Sequence, residues 1–258
     1  MKHTLVAVFA ATALAGCVYN KAKIDDGLVF YCTFDNEAAV TKPAVGPKGN
    51  FLSGTFQEGK VGQALLATVA ANNATFELPP NFLGTAGCIE FWAKIRNPSS
   101  RIGSGGDPRL FTITQNSTKE TYFTLDIVSN NGAGDSGFST WTILGHMVNL
   151  RGLRRLRYED LFPGSDCRDW HHYTIVWDKE GIAELSGNPK MALLIDDKLI
   201  PDIQGHARSA EEAAAIVSTP MRLSFTHDPN LDPELSTKSP FLIDEFKIWN
   251  YAKTEFDF

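Results

Sequence analysis

The sequence predicts an all-β protein built as a two-sheet antiparallel β-sandwich. From residue 27 onward, short apolar segments follow one another, separated by turn residues such as Gly59–Gly62. The first segment, Leu28–Phe34, is apolar on both faces, as expected for a strand covered by a second layer. One short helix is expected, because Ser209–Glu212 has capping-box spacing ahead of the apolar residues 213–217. This helix is too short to form a core and is expected at the periphery.

Alternating or continuous apolar patterns predict the individual strands. In chain order, the predicted strands are Leu28–Phe34, Ala64–Val69, Thr75–Leu78, Ile89–Ile95, Leu110–Thr114, Tyr122–Val128, Thr140–Val148, His172–Trp177, Met191–Ile195, Met221–Thr226 and Phe241–Trp249. The Asp196-Asp197 pair lies between two apolar segments and predicts a tight hairpin. The side chains expected in the core include Phe30, Phe34, Phe91, Trp177, Leu223, Phe225 and Phe246.

The N-terminal residues predict export and lipidation. Met1–Thr4 is positively charged, and Leu5–Leu14 is an apolar segment of the length found in signal peptides rather than membrane spans. The sequence Leu14-Ala-Gly-Cys17 resembles a bacterial lipobox, which implies a signal peptide over residues 1–16 and a diacylglyceryl thioether with an acylated amine at Cys17. Several acyl chains anchor a protein stably, whereas one binds marginally. The alternative is an ordinary secretory signal in which Cys17 is incidental.

Residues 17–26 form a short polar tether ahead of a domain that spans residues 27–258. At about 3.5 Å per extended residue the tether reaches only about 30 Å, so the domain is expected close to the membrane of the bacterial cell envelope. Val18 follows Cys17 at the position where the inner-membrane retention signal of some bacteria has Asp. We therefore expect the outer rather than the inner membrane.

Length and charge exclude some classes of protein. The 258 residues are compatible with a single sandwich domain. The whole chain has 24 basic and 30 acidic residues, and removal of residues 1–16 takes away only Lys2, so the mature chain carries 23 basic residues and a net charge of −7. This balance argues against a nucleic-acid partner, which requires a basic surface.

Several segments resemble those of LamG-like (laminin G type 3-like) domains of the concanavalin A-like lectin and glucanase superfamily. In the family's order they are Gly27–Asp35, Gly59–Leu65, Ile89–Lys94, Trp170–Trp177, Leu193–Asp197 and Phe241–Trp249. The resemblance covers nearly the whole mature chain and implies a concanavalin A-like jelly roll. It does not imply a ligand, because this sandwich occurs in lectins, glycanases, lyases and adhesins.

Residues 129–168 depart from the family pattern and contain the candidate ligand-binding residues. These are Trp141, Arg151, Arg154, Arg155, Arg157 and Tyr158. Because arginine pairs bidentately with carboxylate or sulfate, the arginines could bind an acidic glycan. The alternative is a charged edge strand that prevents pairing between sheets, with Glu159 and Asp160 as local partners.

The carboxylates and histidines form no recognisable catalytic pattern. A glycosidase needs two carboxyl groups about 5–10 Å apart, but Glu90 stands alone on its strand, and alternation sends Asp244 and Glu245 to opposite faces. His171 and His172 are adjacent, so they also point to opposite faces and cannot both bind one metal ion. No catalytic residue is therefore assigned.

We accordingly expect a membrane-anchored, non-catalytic recognition module that binds carbohydrate at the cell envelope, alone or with envelope protein partners. One alternative is a glycan-cleaving enzyme of the same fold, a glycoside hydrolase or polysaccharide lyase. Another is a structural or adhesive envelope protein.

A structural calcium ion is predicted between Asp35 and Asp244. Strict alternation along Phe241–Trp249 places Asp244 on the face of Leu242, Phe246 and Ile248, where an unpaired carboxylate would cost several kcal/mol. The resemblance implies that the first and last strands are neighbours, which would bring Asp35 close. Calcium would relieve the repulsion between the two carboxylates and binds six to eight oxygens. The alternative is that each acid accepts hydrogen bonds from separate backbone N–H groups.

Three cysteines remain after lipidation of Cys17, so at most one disulfide can form. Cys32 is expected to be a buried thiol in the first strand. Cys88 and Cys167 each precede a strand, and a bridge between them is conceivable in an exported protein, but we expect none.

Overall fold

The computed structural model confirms the all-β, two-sheet antiparallel architecture. The residues that it describes are 26–67, 74–95, 109–115, 121–129, 136–142, 146–148, 169–199, 205–207, 220–225 and 241–255. The predicted signal peptide, Cys17 and the predicted helix at residues 209–217 lie outside these ranges. No helix within them is long and apolar enough to span a bilayer.

Sixteen strands and one short helix make up the described secondary structure. The strands are β1 (Leu28–Cys32), β2 (Gly49–Phe51), β3 (Thr55–Glu58), β4 (Gln63–Ala67), β5 (Ala74–Leu78), β6 (Ala86–Ile95), β7 (Arg109–Gln115), β8 (Thr121–Ser129), β9 (Ser136–Thr142), β10 (His146–Val148), β11 (His171–Asp178), β12 (Met191–Ile195), β13 (Lys198–Leu199), β14 (Gly205–Ala207), β15 (Met221–Ser224) and β16 (Phe241–Trp249). Helix α1 (Glu37–Thr41) begins at Asn36, whose side chain accepts a hydrogen bond from the Ala39 N–H.

The larger sheet is organised around β16. Its strand order is β13-β12-β11-β6-β16-β4-β3, and β1 pairs with β16 as well. One side of β16 pairs with β6 along most of its length. The other side pairs first with β4, through Phe241–Ile243, and then with β1, through Phe246–Trp249. Two strands that are separate in the chain therefore share one side of β16.

The smaller sheet has the order β2-β5-β15-β7-β8-β9, and β10 pairs with β14 apart from both sheets. Aromatic rings from the two sheets pack against each other between the layers. The ring centres of Phe91 and Phe246, in the larger sheet, lie 5.6 and 5.3 Å from the ring centre of Phe111 in the smaller sheet. The ring centres of Phe30 and Phe76 are 4.9 Å apart. All seven side chains predicted for the core are buried. Such aromatic contacts supply a large share of the buried apolar area.

The predicted hairpin at Asp196-Asp197 is confirmed. Both residues have positive φ, 48° and 62°, and Ile195 pairs with Lys198. Two positive φ values in a two-residue connection define a type I′ turn, whose twist matches that of the strands. Asp tolerates this conformation better than most residues do.

A bulge in β16 makes the strict alternation predicted for this strand wrong. The register shifts between Asp244 and Lys247, and Glu245 has φ 53°. After the bulge, Phe246 and Ile248 face the core together with Phe241 and Ile243 from before it. Asp244 therefore does not share a face with Phe246, because the extra residue reverses the phase of the strand.

Cys32 and Cys88 are both free and buried. Burial raises the pKa of each thiol well above its ordinary value. Both therefore behave as small packed side chains rather than as reactive thiolates. Cys167 lies outside the described residues.

Candidate functional site on the outer face of the larger sheet

The face of the larger sheet that points away from the smaller one carries a group of polar and aromatic side chains. Along β6, Ile89 and Phe91 belong to the core between the sheets, whereas Glu90 and Trp92 alternate to the other side. We call that other side the outer face. Exposed sheet faces commonly carry polar residues, but Glu90 on this one is almost fully buried.

Strand register brings residues from four strands together there. His172 of β11 lies opposite Trp92, and Trp92 lies opposite Asp244. In the next row, Glu90 lies between Thr174 of β11 and Lys247 of β16. Directly opposite side chains in an antiparallel pair are close enough to interact. The outer-face cluster, as we use the term, consists of Tyr31, Lys60, Glu90, Trp92, His172, Lys247 and Lys253.

The Glu90 carboxylate is the negative centre of this cluster. One oxygen lies 3.3 Å from Lys247 Nζ, and the other lies 3.5 Å from Lys253 Nζ. Its side chain is only 5% exposed, compared with 26% for Lys247 and 18% for Lys253. A buried carboxylate requires such compensation, because its desolvation costs several kcal/mol. Oε1 also accepts a hydrogen bond from Lys247 Nζ, whereas Oε2 accepts none from the described residues, so the compensation at Oε2 is ionic.

Aromatic rings hold the lysine ammonium groups in place. Lys60 Nζ lies 4.1 Å from the centre of the Trp92 ring, and Lys253 Nζ lies 4.1 Å from that of Trp249. Lys247 Nζ lies 5.3 Å from the Tyr31 ring. These distances are within the range of cation–π attraction.

His172 is neutral within the cluster. Its burial, followed in importance by the charge of Lys247, lowers its pKa from the ordinary value of 6.5 to about 3. Its Nε2 lies 4.0 Å from Glu90 Oε2, the outer limit for an ion pair. Since Glu90 already faces two lysines, we assign this contact as one with a neutral imidazole. The His172 ring also packs against the Trp92 ring, with 5.1 Å between the ring centres.

Asp35 and Asp244 bind the two ends of the turn between β3 and β4. Asp244 Oδ2 accepts hydrogen bonds from the backbone N–H groups of Lys60 and Val61, at 2.8 and 2.9 Å. Asp35 Oδ1 accepts one from the Gln63 N–H at 2.9 Å. The turn thus has the backbone hydrogen bonds that were the alternative to a calcium ion.

The glycines of this turn leave room for the two carboxylates. A Cβ on Gly59 would lie 2.6 Å from Asp244 Oδ2, and one on Gly62, where φ is +62°, would lie 2.3 Å from Asp35 Oδ1. Both contacts are too short for real atoms. The glycine spacing of the segment therefore reflects the close approach of two acids as well as turn geometry.

The carboxyl groups beside the bulge have raised pKa values. Burial is the main cause for Asp244, whose pKa rises to about 7, and Asp244 Oδ1 has no hydrogen-bond partner among the described residues. Burial also raises the pKa of Glu245, whose Oε2 accepts a hydrogen bond from the Tyr31 hydroxyl at 2.6 Å. Both acids lie beneath the turn and the outer-face cluster rather than at the surface.

At the start of β11, Asp196 fixes the two adjacent histidines. One oxygen lies 2.7 Å from His171 Nδ1, and the other accepts a hydrogen bond from the backbone N–H of His172 at 2.9 Å. The hairpin is thereby joined to the first residues of the strand beside it. This pairing gives a structural reason for two histidines in β11 and an aspartate in the turn.

The structure describes only some of the ligand-binding and metal-binding residues that the sequence predicts. Trp141 belongs to β9, where its backbone pairs with Thr124. The arginines at 151, 154, 155 and 157, Tyr158 and the predicted lipidation site Cys17 lie outside the described residues. Asp35 and Asp244 meet the same turn, and their calcium site stays a prediction. Within the described ranges, no three His, Cys, Asp or Glu residues are grouped so as to hold a metal ion.

Inspection of single strands did not reveal the outer-face cluster. Glu90 is the only acid in β6, and its cationic partners come from β16 and from the residues after it. The available signal was the alternation of Glu90, Trp92 and Lys94 with apolar residues, which marks a polar face. Alternation does not reveal which strands lie beside that face.

Comparison with solved structures shows the same fold in toxin domains. The chain is similar to the binding domain of Paraclostridial Mosquitocidal Protein 1, with 13% identity, 88% of this chain and 50% of that chain covered, and a TM-score of 0.52. It is similar to the binding domain of botulinum neurotoxin serotype G, with 10% identity, coverage of 88% and 48%, and a TM-score of 0.52. A structure of botulinum neurotoxin type C matches with 12% identity, coverage of 90% and 50%, and a TM-score of 0.50.

The chain spans about half the length of these three structures. At such low identity, the shared feature is the β-sandwich fold. No protein-family model matches the sequence, and no curated protein matches it either.

Proposed function

We propose that the protein is a lipid-anchored, non-catalytic recognition module that binds carbohydrate at the bacterial cell envelope. The observation that supports this proposal is the sandwich fold shared with toxin binding domains. Cell entry of botulinum neurotoxin type C depends upon interaction with two ganglioside molecules, and the head groups of gangliosides are oligosaccharides. A sandwich with half-buried aromatic rings and lysines on one face is suited to the same class of ligand.

The anchoring part of this proposal is supported by Leu14–Cys17 and the short tether that follows. Wild-type protein expressed in bacteria should incorporate labelled palmitate and fractionate with the outer membrane. The Cys17→Ala variant should lose the label and become soluble. Retention of that variant in the membrane fraction would contradict lipid anchoring at Cys17.

A glycan array tests the binding part. We would use residues 18–258, which contain every element of the described fold and lack only the signal peptide and lipid-bearing residue. Binding to a defined group of glycans supports the recognition module, and the absence of binding to any glycan favours a structural envelope protein. Replacement of Arg151, Arg154, Arg155 and Arg157 by Gln then tests whether the arginine segment binds an acidic ligand, as the sequence predicts. Lys179→Gln, an exposed lysine in an ion pair with Glu180, is the matched control.

A glycan-cleaving enzyme of the same fold is the second candidate. The contact between Glu90 and neutral His172 is the described arrangement that favours it, since acid–base catalysis uses such groups. Release of reducing ends from a polysaccharide panel, lost in Glu90→Gln, would establish the enzyme and replace the non-catalytic proposal. We expect no release, because Glu90 is buried and occupied by two lysines.

A further inference from the structure

We infer that the outer-face cluster binds an acidic polysaccharide. In this inference, Lys60 and Lys247 pair with carboxylate or sulfate groups of the ligand, and the rings of Trp92 and Tyr31 contact its sugars. The inference rests on the proposed carbohydrate-binding function and adds to it a surface and a ligand class. The surface is separate in sequence from the arginine segment at residues 151–157.

The carboxylates of this face are more deeply buried than the ammonium groups, so the surface that a ligand contacts is cationic. Glu90, Asp244 and Glu245 are all buried, whereas Lys60 is exposed and Lys247 and Lys253 keep part of their surface. A ligand therefore meets ammonium groups first, and the carboxylates lie below them.

Lys60 is the cation best placed for an incoming anion. Among the described residues it forms no ion pair, and its ammonium group lies over the Trp92 ring. Its backbone is held by the hydrogen bond to Asp244. A fixed backbone and a cation–π contact restrict the side chain before binding, which lowers the entropy cost of forming an ion pair.

The ammonium groups of Lys60, Lys247 and Lys253 argue for an acidic rather than a neutral ligand at this face. The mature chain carries a net charge of −7, so a polyanion is repelled from most of its surface. Local ammonium groups on an aromatic surface then select where it binds. An anionic lipid surface offers the same charge but no sugar rings for Trp92 and Tyr31, both of which are half-buried.

Calorimetric titration of residues 18–258 with polygalacturonate, a polyuronic acid, tests the inference. Dextran serves as the neutral polysaccharide, and vesicles of phosphatidylglycerol and phosphatidylcholine serve as the anionic membrane. Polygalacturonate should bind, and its affinity should fall as the salt concentration is raised. Dextran should bind with lower affinity. Lys60→Gln should weaken polygalacturonate binding about two- to fivefold, the range of a solvated ion pair, and Lys60→Glu should weaken it further.

Lys60 is chosen because its removal leaves the ion pairs of Glu90 intact, so the melting temperature should not change. Lys179→Gln, which is 57% exposed in side chain, should bind like the wild type. Unchanged affinity in Lys60→Gln, together with loss in the arginine variant, would overturn the inference and leave the proposed function standing. Binding to vesicles alone would also overturn it, and failure to bind any glycan would reject both.

Discussion

The most direct test of the fold is removal of the Asp244 carboxylate. Asp244→Ala leaves the Lys60 and Val61 N–H groups without their acceptor. Both residues are exposed, so water can replace part of the lost hydrogen bonding. A hydrogen bond contributes about 0.5–1.5 kcal/mol between neutral groups and about 1.5–3 kcal/mol to a charged group, and Asp244, whose pKa is about 7, is only partly ionised at pH 7. With partial replacement by water, we expect a loss of about 2–3 kcal/mol in the free energy of unfolding. For a domain of this size that corresponds to a fall of about 5–10 °C in melting temperature.

Asp244→Asn is the matched variant, because its side-chain oxygen can accept the same two hydrogen bonds. We expect it to cost less than about 1 kcal/mol, since one neutral amide replaces a carboxyl group that is itself costly to bury. Urea unfolding at pH 7, followed by tryptophan fluorescence, measures both variants. A cost for Asn equal to that for Ala would show that the turn hydrogen bonds do not account for the role of Asp244.

Three further predictions concern His172, Asp196 and the predicted calcium site. Because the folded-state pKa of His172, about 3, lies below its ordinary value of 6.5, unfolding takes up a proton between these pH values. The contribution of His172 to the free energy of unfolding should therefore fall as pH drops from 6.5 toward 3, by at most about 1.4 kcal/mol per pH unit. In urea unfolding, the free energy of the His172→Asn variant should fall less steeply with pH than that of the wild type. Asp196→Ala should lower the free energy of unfolding by about 2 kcal/mol through loss of its contacts with His171 and His172. Asp196→Asn keeps an acceptor for the backbone N–H of His172 and should lower the free energy of unfolding by less. Equal losses in the two variants would contradict this account. If Asp35 and Asp244 share a calcium ion, the melting temperature must rise with calcium and fall in EDTA, and a constant melting temperature across the titration would reject the site.

Local patterns were sufficient for much of the fold. Met191–Ile195 and Phe241–Trp249 have the bounds that their apolar residues predict, and the Asp196-Asp197 turn follows from short-range geometry. The short strands Gly49–Phe51 and Thr55–Glu58 were not predicted. They contain few apolar residues, so pairing with neighbouring strands defines them rather than their own sequence.

The bulge at Glu245 and the outer-face cluster were not predictable for a related reason. A positive φ at a glutamate is locally unfavourable and occurs here where β16 changes partner from β4 to β1. The ion pair of Glu90 with Lys247 joins residues 157 positions apart. Strand register sets such contacts, and the sequence of one strand does not specify the register of its neighbours.

The position of β16 has a consequence for folding during synthesis. β1, β4 and β6 all pair with this strand and all precede it in the chain; the contact between Tyr31 and Glu245 spans 214 positions. The larger sheet cannot close until residues 241–249 have been made, so β1, β4 and β6 keep an unpaired edge until then. Contacts of such long range slow folding and leave the chain open to aggregation.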